Sequence, residues 1–457
     1  MTQQFMASNI FTTLGGKASR TKNVISVFAV TLLAVLVSLI FAPKAHATTY
    51  NVTPTPAFGD CDIYNAIIAA DTQAGSGFCS AGSASNTINM SAGTYGLIAD
   101  LPPITGTSNI SIVGASAENT IVDGTGSFNG VDINPATENT YSVSNLTFQN
   151  FSPPAGHPVF AISSNVTVDS VIARNNTCLN FAGGPVCALF LSSSGQPITI
   201  NIKNSAFYEN TAVFVLAISN SEGSEMTANI TNNTFSGNNA FPINIVNVAS
   251  DGPTTMTANI TNNTFAQNAQ AQDYGDPSLG AINVNVFAGD AVYYPATVNL
   301  LNNIFYANLN ISTAQNCPAA PGTNGTITSN GGNISDDNTC ATYFTATNDL
   351  NETDALISPL ALDMGTYVRA INASSPAYNN AIASGAPSTD QRGVARPQGG
   401  GYDSGAYEFV VPGPTPTPSP SPGNLAPTGW DTRLPVVLAT LFVLAGLTGV
   451  GYALKKN

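Results

Sequence analysis

The chain is 457 residues long with a formal charge of −14, and only 8% of its residues are charged, against about 25% in an ordinary soluble domain. Seven of its twelve basic residues sit near the ends (Lys17, Arg20, Lys22, Lys44, Arg433, Lys455, Lys456), so residues 48–428 keep five against 25 acidic residues, a net −20. Such a body repels phosphate backbones, which excludes a nucleic-acid partner, and it suits the collection of divalent cations; the 43% hydrophobic content excludes disorder.

Lys17, Arg20 and Lys22 precede an apolar run from Val24 to Ala42, and Ala45-His46-Ala47 fits the small-x-small rule for signal peptidase. Residues 1–47 are therefore expected to be a signal peptide cut after Ala47, with an uncleaved signal anchor as the alternative. Near the start of the body, residues 48–410, the segment Asp62 to Ala74 puts Ile63, Ala66, Ile67 and Ala70 on one helical face. A short helix closing the open end of a β-stack is expected there, within an N-terminal cap over residues 48–100. An uncovered end would leave unpaired backbone groups.

The middle repeats. MTANITNNTF occurs at Met226 to Phe235 and again at Met256 to Phe265, with looser copies at Tyr141 to Phe148, Val166 to Asn176, Ile198 to Phe207 and Ala296 to Phe305. Taking Phe148, Ile172, Phe207, Phe235, Phe265 and Phe305 as equivalent gives spacings of 24, 35, 28, 30 and 40. A fixed unit with loops of varying length is the mark of a solenoid. Each copy alternates apolar and polar residues, as in Ala258-Asn259-Ile260-Thr261, which reads as a half-buried strand. The Asn pair that follows, such as Asn262-Asn263, suits a tight turn because Asn tolerates a left-handed backbone. Stacked coil on coil, these amides can bond in a ladder. Many of them also fit the glycosylation pattern Asn-x-Ser/Thr, but their regular place beside a strand favours the structural role. The segments between copies, 208–225, 236–255 and 266–297, read as long loops forming a contact surface.

Six cysteines in an exported chain suggest disulfides. Distant coils of a solenoid cannot bring cysteines together, so the neighbouring pairs Cys61 with Cys79, Cys178 with Cys187 and Cys317 with Cys340 are favoured. No spacing resembles a zinc site.

After the body, residues 411–424 alternate Pro with Thr or Ser, a semi-rigid spacer. Leu425-Ala426-Pro427-Thr428-Gly429 follows, then the uncharged span 434–454 and Lys455-Lys456. The span is long enough to cross a bilayer, with the lysines cytoplasmic. This order resembles a cell-wall sorting signal of the Leu-Ala-x-Thr-Gly type over residues 425–457. The resemblance implies a sortase as partner, cleavage between Thr428 and Gly429, and attachment to the cell wall. A plain membrane anchor is the alternative, and both put the body at the cell surface.

Cys61 to Ala70, Asn86-Thr87-Ile88, Ala92 to Tyr95, Ile110 to Gly114 and Thr120 to Gly124 resemble the opening coils of secreted right-handed β-helix proteins, departing at Tyr64 and Asn65, where Arg and Glu are usual. Ser374 to Ala377, Thr389-Asp390-Gln391-Arg392-Gly393, Arg396-Pro397 and Asp403 to Glu408 resemble the C-terminal part of the choice-of-anchor Q domain, here over residues 355–410. The resemblance implies an all-β, right-handed parallel β-helix of pectate-lyase-like architecture. About ten to twelve coils at about 4.8 Å would make a rod of about 50–60 Å.

That architecture hosts polysaccharide lyases and hydrolases. A lyase needs a base, usually Arg, with calcium on acidic residues; Tyr141 to Asn310 offers only Arg174 and Lys203. An inverting hydrolase needs two carboxylates about 6.5–9.5 Å apart, and Asp336-Asp337 is the only adjacent pair. No catalytic residue is therefore assigned. Asp273 and Asp276, with Asp290, could hold calcium, though a solvated loop is the simpler reading. Tyr274, Tyr293 and Tyr294 could stack on sugar rings. Asp390, Arg392 and Arg396 read as a buried ion-pair network closing a C-terminal cap, and His157 as an exposed loop residue. The leading expectation is a non-catalytic, adhesin-like or envelope-structural surface solenoid whose partners are glycans or surface proteins; the alternative is a polysaccharide-binding or polysaccharide-degrading protein.

Overall fold

The computed structural model describes residues 47–411 apart from 136–138, 153–158, 179–185, 194–195, 221–223, 250–253, 271–278, 289–293 and 322–324. Ten parallel strands, from Thr48–Val52 to Gly325–Ser329, stack into a first sheet. Nine, from Gly93–Gly96 to Ile334–Ser335, form a second, and six, from Val131–Ile133 to Ile282–Ala288, a third. Six successive coils, from Asn109–Gly114 to Ile282–Ala288, visit the three sheets in turn, and the chain is a right-handed parallel β-helix. A helix, α1 (Ile63–Thr72), closes the N-terminal end as expected. Asp62 caps it by accepting from the Asn65 amide, and Ile63, Ala66, Ile67 and Ala70 are buried.

The alternation in the repeats becomes an inside and an outside. Ala258 and Ile260 are fully buried, while Asn259 between them is half exposed. Identical residues meet across coils because the register pairs Met226 with Met256 and Ile230 with Ile260. Phe207, Phe235, Phe265 and Phe305 stack with ring centroids 4.8, 5.1 and 4.9 Å apart. Each contact of this kind adds about 0.5–1.5 kcal/mol beyond its buried area.

The Asn pairs work as the sequence suggests. Asn232, Asn262 and Asn302 take the left-handed conformation, with φ of 55°, 53° and 59°. The second Asn of each pair points inward and builds a ladder. Nδ2 of Asn233 donates to Oδ1 of Asn263 (3.0 Å), Asn263 to Asn303 (3.1 Å) and Asn303 to Asn333 (3.0 Å). A second ladder runs through Asn176, Asn210, Asn238, Asn268, Asn308 and Asn316 at the next corner. In Asn263, Nδ2 also donates to the carbonyls of Ile230 and Thr261, while Oδ1 accepts from both the backbone N–H and the side chain of Asn233. Both donors and both acceptor positions of the amide are used.

Four expectations need correction. The supposed loops 208–225, 236–255 and 266–297 are largely strands of the third sheet, Thr211–Asn220, Asn239–Ala249 and Ile282–Ala288. In Thr211–Asn220 the continuous apolar run from Ala212 to Ile218 hid the period, whereas Ile282 to Val286 alternates outside the repeat motif. Ile172 is not the equivalent of Phe148: the register pairs Ala173 with Phe148 and Phe207, and Ile172 faces outward under later residues. Ten strands at about 4.8 Å span about 43 Å, short of 50–60 Å, because the chain after about residue 350 stops stacking. Residues 355–409 instead run back as a strap along the outside of the second sheet. There Tyr367 packs on Tyr208 with ring centroids 4.6 Å apart, and Ile304 is buried against Ala355, Ile371 and Ala377. Asp390, Arg392 and Arg396 thus lie on the flank of the helix, not on its end.

Cys61–Cys79 and Cys317–Cys340 are disulfides, as expected. Cys178 is disulfide-bonded too; the side chain of Cys187 lies outside the described residues. Asn263→Ala should lower unfolding free energy by about 2–5 kcal/mol, because it strands several buried groups, whereas Asn229→Ala, on the half-exposed outer face, should cost under about 1 kcal/mol. Urea denaturation of both variants checks the contrast.

Candidate functional site

Three of the body's five cations, Arg369, Arg392 and Arg396, lie on the strap, the last two among carboxylates. Arg396 and Glu408 pair at 2.8 Å with both side chains fully buried. Arg396 also donates to the carbonyls of Asp403 and Gly405, and Glu408 accepts from the N–H groups of Gln398 and Asp403. Arg392 bonds Asp390 (2.7 Å) and Asp363 (2.6 Å) and lies over the Tyr407 ring. Asp390 is meanwhile held by the N–H groups of Arg392, Val394 and Glu408. Burial pushes the Asp403 carboxyl up to about 6. The strap is tied to the coils by the left-handed asparagines: Asn232 donates to the Thr389 carbonyl, Asn262 to those of Asp403 and Gly405, and Asn302 to that of Ile382. Gly405 must be glycine, since its φ is +87° and a Cβ would lie 2.6 Å from Ile304 Cδ1.

The remaining candidates are dispersed. Arg174 donates to Gln149 and to the Tyr208 hydroxyl, both at 2.9 Å, and Gln149 in turn donates to Asp123. Lys203 pairs with Asp169 at 3.2 Å. Asp336 and Asp337 close the C-terminal end of the second ladder: Asn316 donates its side chain to Asp336 and its backbone N–H to Asp337. Asp349 closes the first ladder the same way at Asn333. Tyr294 is half-buried, its carbonyl accepting from Asn247. Asp273, Tyr274, Asp276, Asp290, Tyr293, His157, Ala45, the span 434–454 and Leu425, Ala426, Pro427, Thr428 and Gly429 lie outside the described residues. Among the described residues no cluster of three His, Cys, Asp or Glu could hold a metal, and no helix is long and apolar enough to cross a membrane.

The outer face of the first sheet is uncharged over most of its length. One column of paired residues runs Thr49, Thr87, Ser111, Ser142, Thr167, Asn201, Asn229, Asn259, Asn299, Thr328. A flanking column runs Thr199, Thr227, Thr257, Thr297, Thr326. The amides of the first column bond coil to coil at 3.0 Å, Asn229 to Asn201, Asn259 to Asn229 and Asn299 to Asn259. Where the strap passes this face, Gly385 and Pro387 wall a groove of about 380 Å³ whose floor includes Asn229, Asn259, Asn299, Thr231 and Thr261. Sequence reasoning missed this face. Its signal was the outward Thr-x-Asn-x-Thr of each repeat, Thr227, Asn229 and Thr231 and again Thr257, Asn259 and Thr261.

No family model and no curated protein matches the chain. Among solved structures it is similar to a PL6 family alginate lyase, at 12% identity over 68% of this chain and with a TM-score of 0.25. The chain spans about half of that enzyme, 55% of its length. A likeness at this level carries no inference about activity.

Two outcomes follow from the strap. Arg396→Met leaves Glu408 buried and unpaired, and should cost about 3–5 kcal/mol in chemical denaturation. The raised Asp403 carboxyl favours the folded state most below about pH 4, and that contribution is lost as pH rises through about 6. The stability difference between Asp403→Asn and the parent should therefore shift in the variant's favour by about 2–3 kcal/mol between pH 4 and 7, which denaturation curves across that range would read.

Proposed function

We propose that this chain is a non-catalytic β-solenoid of the cell surface, adhesin-like, which presents the uncharged face of its first sheet to a partner. One observation carries the reading: each of the five cationic side chains of the body has a partner within the chain, four of them in the fold and Lys203 in a surface pair with Asp169. Arg174 is held by Gln149 and Tyr208, Lys203 by Asp169, Arg392 by Asp390 and Asp363, and Arg396 by Glu408. Arg369 is held by Ser236 and Gln267. A lyase of this architecture needs a base facing an open groove, and here the bases are used to fasten the strap and the coils. The Asp336-Asp337 pair is likewise consumed in ending a ladder.

The disulfides support an exported protein. The expected signal peptide, the Pro-rich spacer and the Leu425–Gly429 motif are sequence support for display at the wall through a sortase, and the resemblance to choice-of-anchor Q proteins fits the role of Asp390, Arg392, Arg396 and Glu408 in binding the strap. Calcium, if bound, would belong to Asp273, Asp276 and Asp290.

A glycan-array and cell-wall pull-down, with and without calcium and with product analysis of each glycan retained, tests the reading. Retention without product is expected. Unsaturated or shortened sugars would overturn it. In the expressing cell, Thr428→Ala should move the protein from the wall fraction to the membrane fraction; an unchanged distribution would contradict sortase anchoring.

A further inference from the structure

We propose that the groove between the first sheet and Gly385 and Pro387 binds a neutral, extended polysaccharide whose chain runs along the helix axis, one sugar ring per coil. The inference rests on the non-catalytic reading above and names the ligand class for its exposed face.

The charge pattern selects a neutral ligand. The body carries a net −20, so an anionic polymer is repelled at long range. Yet no residue lining the groove is ionisable. A cationic ligand would find no carboxylate there, and a neutral one gives up no ion hydration on entering.

The hydrogen-bonding pattern selects a polyhydroxylated chain. An Asn amide has two donors and two acceptor positions. The outer ladder uses one donor and one acceptor of Asn229 and of Asn259, so each of these amides keeps one N–H and one acceptor position for a ligand. The hydroxyls of Thr231 and Thr261 beside them make no bond among the described residues and can serve as either donor or acceptor. Sugar hydroxyls are the matching chemistry, donor and acceptor in the same atom.

The spacing selects against a peptide. The row runs across the strands, so its groups recur about every 4.8 Å, and same-face residues of an extended peptide recur about every 6.7 Å. A peptide lying along the row falls out of step within two coils. A glycan whose rings advance by nearly one coil each stays in step. Pro387, with Leu301 at the edge of the floor, supplies apolar surface for the C–H face of a ring.

The test uses the full chain in calcium-free buffer, with depletion onto insoluble cellulose and chitin as neutral β-linked glycans, starch granules as a neutral coiled one, and alginate and polygalacturonate gels as anionic ones. Retention on a neutral β-linked glycan, little changed by salt, is expected. Thr261→Arg, which fills and charges the groove, should reduce it at least tenfold, and Thr231→Lys on the neighbouring coil should do the same should the first variant fail to fold. Ser219→Arg on the third sheet should leave retention unchanged, with melting curves confirming that each variant is folded. Retention on anionic gels alone, on starch alone, or on nothing would overturn the inference while leaving the non-catalytic reading standing. So would undiminished retention by a folded Thr261→Arg or Thr231→Lys. Shortened or unsaturated sugars in any arm would overturn the reading on which it rests.

Discussion

An asparagine inside an apolar stack is stabilised by using every hydrogen-bonding position of its amide, because each one left open costs about 1–3 kcal/mol. In the ladders of this protein stacking achieves it. Asn263 reaches forward to Asn303 and back to the carbonyl of Ile230, and receives Asn233 on its oxygen. Neither Asp, Ser nor Leu has that set of two donors and two acceptors, and the bonds form only if successive coils keep the same register. The amides all point their donors the same way, so the C-terminal end of each ladder has an N–H left over. Carboxylates answer it, Asp349 at Asn333 and Asp336 at Asn316. The strict register then puts Phe on Phe inside, and it aligns Thr and Asn into columns outside.

The same economy governs charge. Three of the body's five cations hold the strap against the coils. These are Arg369, Arg392 and Arg396, and the outer face of the first sheet is uncharged over most of its length, with Lys203 paired to Asp169 on it. The left-handed asparagines make the two roles compatible, since their turn positions free Nδ2 of Asn232, Asn262 and Asn302 to grip strap carbonyls. The strap in turn supplies Gly385 and Pro387 as the groove's outer wall.

Much of this was legible in the sequence where a motif repeats with its own period. The twofold alternation and the Asn pairs predicted the strands, the turn and the first ladder. The second ladder carried an equally plain mark, an Asn five residues after each buried one, as in Asn233 and Asn238 or Asn263 and Asn268, but it belongs to the segment read as loop. The third sheet was missed because a strand such as Thr211–Asn220 is continuously apolar from Ala212 to Ile218, while the alternation of Ile282 to Val286 lies outside the repeat motif. The strap was hidden for a different reason: it pairs residues more than a hundred positions apart, such as Asn262 with Gly405, and no local pattern records that. Ile172, Ala206 and Ile304, apolar at outward positions, were the one hint that something covers the second sheet. The candidate groove depends on the strap, so it could not be read from the repeats alone.

Backbone hydrogen exchange on the full chain tests most directly whether the charged groups are fastened into the fold. With the strap integral, residues 389–409 should exchange as slowly as the coil segment 198–209, both near the global unfolding limit. Fast exchange over 389–409 with the coils still protected would contradict it. It would mean that Asp390, Arg392, Arg396 and Glu408 are free to act elsewhere, and the physical basis for a non-catalytic surface would be gone.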